Sequence, residues 1–217
     1  MAYNNSCIIL LSSSSFFKEL DELIELKSNK LISIKKLFKN IINNNINNVE
    51  KMKSCKIDEL YEVTRGKYIK KDSLLNDGFP VYSSKTMDNG ILGYTDSYLF
   101  ENALIWSTDG ANAGKVRYIK NKFNCTNVCG VLLNNNDYCN KYMEYYLNHI
   151  TKKYVSNSGI PKLMNDTMSN IKINIPNIKE QIKISNQIEE MENLINLYER
   201  EIEKLLKIKK FYLNNIF

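Results

Sequence analysis

A helical pattern occurs twice, once on each side of a stretch of short β-like runs, and this bracket limits the fold more than any other feature. Residues 20–42 read LDELIELKSNKLISIKKLFKNII, and residues 191–217 read MENLINLYEREIEKLLKIKKFYLNNIF. Both place apolar residues at helical spacing, acidic residues early and Lys pairs late, as the helix dipole favours. A helix this long must cover its apolar stripe. The economical solution is an antiparallel, coiled-coil-like pair of the two helices. The fold class expected is α+β: one globular mixed α/β domain with a twisted sheet, flanked by two long antiparallel helices.

The divisions follow from the change of period. Residues 1–15 carry no pattern and are expected to be irregular. The first helix occupies 16–50, with Ser15 as N-cap and Leu20, Leu23, Ile24, Leu31, Ile34, Leu37, Phe38 and Ile41 forming its stripe. It would run for about 40 Å before fraying in the Asn-rich stretch. The globular domain takes 51–177 and the second helix 178–217. Inside the domain, strands are expected at 61–64, 79–82, 91–94, 103–107, 116–119, 128–133 and 171–175. The turn signals NDG at 76–78, DNG at 88–90 and DGANAG at 109–114 separate several of them. A helix is expected at 138–154, a GIP turn at 159–161 and a short helix or turn near 165–171. The last helix opens after Asn177, with Glu180 three residues on as in a capping box.

Composition narrows the function. The chain has 217 residues and a formal net charge of +6, which suits an anionic partner. Residues 7–11 (CIILL) are too short to span a membrane and follow no basic leader, so neither anchor nor signal peptide is expected. Five scattered cysteines argue against a disulfide framework and for a reducing, cytoplasmic setting.

The chemical motifs fail one by one. Gly110, Gly114 and Lys115 imitate a phosphate-binding loop, but the spacing is one residue short. Val116 also stands where the magnesium-binding Ser or Thr belongs. Cys125, Cys129, Cys139 and His149 have the residue types of a three-Cys-one-His zinc set, yet no C-x-x-C pair exists and the 125–133 run reads as a buried strand. His149 is the one histidine, and no carboxylate pair stands out as an acid–base couple. No glycine fingerprint for a dinucleotide or methyl donor occurs. No catalytic residue, metal site or bound cofactor is assigned.

What remains is a polar surface in which cations alternate with Tyr, Ser, Thr and Asn. Cations hold phosphates, while short polar side chains reach base edges. Ser83, Ser84, Lys85, Thr86 and Asn112 are the candidates for base edges. Lys67, Lys115, Arg117, Ser158 and Lys162 are the candidates for the DNA backbone.

The order of motifs resembles the specificity (S) subunit of type I restriction-modification systems. Residues 56–69 (KIDELYEVTRGKYI) resemble the opening of a target recognition domain. Residues 78–100 (GFPVYSSKTMDNGILGYTDSYLF), 103–116 (ALIWSTDGANAGKV) and 127–133 (NVCGVLL) continue the resemblance. The most specific piece is the exit at 156–188, with Gly159, Pro161, Pro176, Glu180 and Gln181, and residues 209–217 (KKFYLNNIF) end as such helices commonly do.

The resemblance implies a non-catalytic DNA-recognition subunit that directs modification and restriction subunits to a bipartite double-stranded target. Long helices set the spacing between the half-sites. S-adenosylmethionine and ATP are implied on the partner subunits, none on this chain. The pattern departs from the family in having one recognition domain where two are usual, as expected of a half-subunit or a truncated form. The favoured outcome is a homodimer through the long helices, reading a symmetric interrupted site. The alternatives are an inactive remnant that needs a second S chain, and a helical protein-interaction adaptor whose basic core is incidental.

Overall fold

The computed structural model describes the backbone of residues 3–47, 52–85, 87–156 and 158–216, and side chains within 15–46, 52–85, 89–156 and 158–215. The chain divides into two compact units, a helical one (residues 1–44 and 188–217) and a globular one (residues 45–187).

The helical unit consists of most of α1 (Tyr3–Asn47) and the part of α4 (Ile178–Ile216) from Ile188 onward. The irregular segment expected over 1–15 is replaced by helix from Tyr3, because the Ser-rich stretch continues the helix rather than starting it. The less exposed positions of α1 include Leu20, Ile24, Lys27, Leu31, Ile34, Phe38 and Ile41; those of α4 include Ile188, Met191, Ile195, Tyr198, Ile202, Leu205 and Lys209. Both sets step by alternating threes and fours, the spacing of a coiled-coil seam. The pairing is antiparallel. Phe16 meets Tyr212 edge-on at 5.2 Å, Asp21 accepts from Lys209 at 2.5 Å, Lys27 pairs with Glu201 at 2.9 Å and Lys35 with Glu199 at 2.7 Å. Leu23 and Leu37, expected in the stripe, are exposed. A two-helix seam takes only two positions per heptad, which is narrower than the apolar stripe of α1.

In the globular unit the strands divide among three sheets instead of one. Four antiparallel strands form the central sheet in the order β2 (Glu62–Arg65), β8 (Cys129–Leu133), β5 (Ala103–Ser107), β6 (Val116–Ile119). A second sheet places β3 (Phe79–Tyr82) between β4 (Ile91–Thr95), antiparallel, and the two-residue β7 (Asn124–Cys125), parallel. A third pairs β1 (Lys53–Lys56) with β9 (Lys172–Ile175), which ties the domain's entrance to its exit.

All five residues of β5 are buried, so the central sheet is covered on both faces. Alternation sends Ala103 and Ile105 to one side, against Phe123, Cys125, Cys129 and Val131. Leu104 and Trp106 point the other way, where the Trp106 indole N–H donates to Leu163 O at 2.9 Å. Helix α2 (Lys141–Ile150) is capped by the Asn140 side chain, which accepts from the Met143 N–H. The expected 138–154 helix is shorter because its last turn tightens into a 3₁₀ segment at Thr151–Tyr154. Asn148 on α2 accepts from Val116 N–H and donates to Val116 O, at 2.9 and 2.8 Å, and so occupies the free edge of β6. The Gln181 side chain, fully buried, donates to Pro176 O and accepts from Asn140, so the Glu–Gln pair at the start of α4 has a packing reason. Asn177 caps α4 as expected, accepting from the Glu180 N–H at 3.1 Å.

Burial pushes the Cys139 thiol up from its ordinary 9.0 to about 11, partly offset by hydrogen bonds from the backbone of Leu104 and Asn134. The folded state therefore holds this proton more tightly than the unfolded chain. The associated stability is whole below pH 9 and is lost as pH rises toward 11. Unfolding free energies from denaturant titrations at pH 8 and pH 11 should differ by about 2 kcal/mol more in the natural chain than in Cys139→Ala. Equal losses in the two proteins would show that this thiol is not desolvated.

Candidate nucleic-acid interface

The register of the central sheet decides where the loops emerge. Arg65, last in β2, stands opposite Gly130, and Ser107, last in β5, stands opposite Cys129. Trp106 pairs with Val116, first in β6. One end of the sheet therefore carries the exit from β2, the entry to β8 and the turn between β5 and β6. The end of β3 joins them, since Thr126 N–H donates to Tyr82 O at 2.9 Å. The GIP segment lies on the same turn: Leu163 N–H donates to Thr108 O at 2.9 Å and Gly110 N–H to Pro161 O at 3.0 Å. Five pieces of chain far apart in sequence thus form one rim, which takes in the described residues among 65–67, 83–90, 108–115, 126–128 and 156–163.

The described candidate residues fall on or beside this rim. Lys67, Lys85, Lys115 and Lys162 are exposed cations. The Lys67 N–H is tied to Cys125 O at 3.1 Å, and the Lys162 backbone pairs with Ser156. Ser158 is exposed, its Oγ 3.2 Å from Ser156 Oγ. Asn112 is half-buried and donates to Ser84 O at 2.9 Å. Thr86 lies outside the described residues.

Two candidates are placed differently from their expected roles. Ser83 is only 7% exposed, and its Oγ accepts from the Lys85 N–H, so it shapes the loop from inside rather than facing a base. Arg117 is half-buried and turns its guanidinium onto the carbonyls of Asn89 and Lys85. A side-chain list cannot distinguish a cation facing solvent from one facing its own loop.

Sequence reasoning counted Arg65 and Thr108 in the polar surface without nominating either for a contact, and it read Asp109 only as part of a turn. Arg65 Nη2 donates to Thr108 Oγ1 at 3.0 Å, and Thr108 Oγ1 donates to Asp109 Oδ2 at 2.6 Å. The guanidinium lies 3.9 Å from the Asp109 carboxylate. This places an acceptor among the rim's cations, and carboxylates accept from cytosine amino groups. The useful signal was Asp109 opening a Gly-rich turn, which reads in isolation as turn chemistry alone. Beside the rim, Tyr154, Ser156, Ser158, Ile160, Lys162, Met164 and Thr167 line an open cleft of about 490 Å³.

The thiols considered for zinc are spread through the core. Cys125 and Cys129 are free thiols; a hydrogen bond between them, together with burial, pushes the Cys125 thiol up. Cys139 donates to Leu132 O, and His149 is exposed on α2. Among the described residues no group of three or more His, Cys, Asp or Glu could hold a metal ion. No described helix is long and apolar enough to cross a membrane.

Residues 49–207 match the family model described as the type I restriction modification DNA specificity domain. The chain belongs to this family. A type I specificity subunit N-terminus from Mycoplasma pneumoniae is 40% identical over 139 residues, covering 62% of this chain and 74% of the relative. The MpnII type I restriction enzyme specificity subunit of the same organism is 34% identical over 170 residues, covering 74% of this chain and 51% of the relative. The fold is shared with the S subunit of the M. genitalium type I restriction-modification system, with a TM-score of 0.71 at 20% identity. That match takes in 94% of this chain and 59% of the other. The chain therefore spans about half to three quarters of the length of these specificity-family proteins. The mixed α+β unit and the two long helices expected from the sequence are those of the family.

Proposed function

We propose that this chain is the DNA-reading subunit of a type I restriction-modification complex and performs no chemistry itself. The observation that carries this reading is the rim, where five segments present four exposed lysines around short polar side chains. Lysines draw the duplex by releasing counterions, and polar groups on the same rim test base edges in the major groove. The helical unit supplies the docking frame for the modification (methyltransferase) subunit, and the restriction subunit joins through it. S-adenosylmethionine and ATP are bound by those partners. The complex works in the cytoplasm, where its DNA is. A second copy supplies the other half-site, pairing through the long helices. Exposed apolar residues on both helices, among them Leu26, Ile32, Leu197 and Phe211, support that pairing.

The test is co-expression with the modification subunit, purification of the complex, measurement of its mass, and methyl transfer onto a randomised duplex library. Methylation of a symmetric interrupted site by a complex holding two copies of this chain is the expected result. A stable complex that methylates nothing would overturn the reading function and leave a docking remnant. Failure to form any complex would leave the adaptor.

Within an active complex, Lys115→Ala is expected to weaken binding to cognate and unrelated duplexes by the same factor. The slope of log affinity against log salt should flatten by about 0.9, the signature of one lost phosphate contact. Loss of affinity for the cognate site alone would contradict that role.

A further inference from the structure

We infer that Arg117 is a positioning residue that sets the shape of the 83–90 loop, and through it the choice between DNA sequences. This rests on the DNA-reading function proposed above. Arg117 reaches from β6 across to a loop that begins after β3 and ends where β4 starts. Nη1 donates to Asn89 O and Nη2 to Lys85 O, the latter at 3.1 Å. These two carbonyls stand on opposite arms of the loop, Lys85 on the side of β3 and Asn89 on the side of β4, so one planar cation bridges the arms. A guanidinium fork can hold two acceptors at a set separation, which a lysine ammonium on its flexible stem cannot reproduce.

Three further features belong to the same arrangement. Ser83 N–H donates to Gly90 O at 2.8 Å and closes the loop's neck. Asn112, from the turn between β5 and β6, donates to Ser84 O at 2.9 Å and adds a second brace. Asn89 and Gly90 take the left-handed conformation, with φ of 52° and 81°. A Cβ on Gly90 would overlap Arg117 Nη1, so the guanidinium occupies the space that the missing side chain leaves. Gly90 and Arg117 are two halves of one contact, 27 positions apart in the chain.

A cation committed in this way differs in its signature from one that meets a phosphate. Loss of a phosphate contact lowers affinity for every duplex and reduces the salt slope. Loss of a brace frees the loop, so base contacts are made imperfectly while the general attraction persists. Arg117→Lys preserves the charge and removes the fork. Gly90→Ala preserves Arg117 and evicts its guanidinium. Both are expected to reduce the ratio of cognate to unrelated binding by roughly tenfold, the size of one well-made base contact. The salt slope should change by far less than for Lys115→Ala.

The experiment uses the full chain in complex with its modification subunit. Binding of the methylated site and of a scrambled duplex is measured over a salt series for the natural chain, Arg117→Lys, Gly90→Ala and Lys115→Ala. Amide hydrogen exchange of residues 83–90 is followed in the same four proteins. Faster exchange in that loop with lost discrimination and a retained slope is the expected result. Full discrimination in Arg117→Lys with unchanged exchange would overturn the inference. So would an equal loss on both duplexes with the slope change of Lys115→Ala. Should the natural chain itself fail to discriminate, the DNA-reading function falls. The exchange data then still decide whether Arg117 holds the loop, and unchanged exchange would sink the brace as well.

Discussion

Trp106→Ala is expected to lower the unfolding free energy by about 5 kcal/mol. Trp106 lies in the middle of the sheet order, on β5, and is 1% exposed. Truncating a buried Trp to Ala costs about 3–5 kcal/mol through lost burial and the cavity left behind. The change also strips Leu163 O, itself fully buried, of the indole donor at 2.9 Å, which adds about 1 kcal/mol. A domain of this size holds only about 5–15 kcal/mol in total, so the variant sits at the edge of folding. Gly130 faces the ring so closely that a Cβ there would overlap it, so this neighbour has no side chain with which to fill the space. Trp106→Phe keeps much of the volume and loses the donor, and is expected to cost about 2 kcal/mol. Urea unfolding followed by circular dichroism measures both, since Trp106 is the one tryptophan and its removal erases the tryptophan fluorescence. A cost below that of Trp106→Phe would mean that the Leu163 segment is not keyed to the ring.

Gly66→Ala is expected to cost about 3 kcal/mol, at the upper end for a single added methyl group. A Cβ on Gly66 would overlap Cys125 O and Thr126 O. These are backbone atoms, and they cannot swing aside as a flexible side chain does. The surrounding strand is pinned from several directions: Gly66 N–H donates to Cys129 O at 3.0 Å, Lys67 N–H to Cys125 O at 3.1 Å and Cys129 N–H to Thr126 O at 2.9 Å. Relieving the overlap means breaking some of these bonds at the rim itself. The effect should therefore appear twice, as a lower denaturation midpoint and as reduced DNA affinity at temperatures where the protein remains folded. An unchanged midpoint would show that the strands do not approach so closely.

Local pattern reached the individual elements well. Strands at 79–82, 103–107 and 116–119 were predicted at their observed bounds, because β-branched and aromatic runs stand between turn residues with strong conformational demands. The start of α4 was legible from Asn177 and Pro176, and the shared family was legible from the order of its motifs. Strands β1 and β7 were missed. β7 is two residues long, and β1 is defined by its partner β9, where Lys53 pairs with Ile175, 122 positions away. Neither carries enough periodicity to announce itself, since a pairing of this kind is a property of two segments.

The candidate site divides in the same way. Residue type and turn context were enough to nominate Lys67, Lys85, Lys115, Ser158 and Lys162, and the fold brings all five to the rim. They were not enough to separate Arg117 from Lys115, which stand two positions apart with the same sign of charge. Lys115 is exposed while Arg117 turns onto Lys85 O and Asn89 O. Lys115 belongs to the turn that precedes β6, whereas Arg117 lies within β6, where the loop after β3 comes within reach of its guanidinium. The apolar stripe of α1 shows the same limit. Its period marks a helix that must be covered, yet only packing against α4 selects Leu20 and Ile34 for burial and leaves Leu23 and Leu37 in solvent. By itself the sequence determined the helices, most strand positions, the turns and the family, because each is written in neighbouring residues. The tertiary structure alone decided which strands pair, which loops share the rim and which cation braces another loop, because those are encounters between residues that the chain holds far apart.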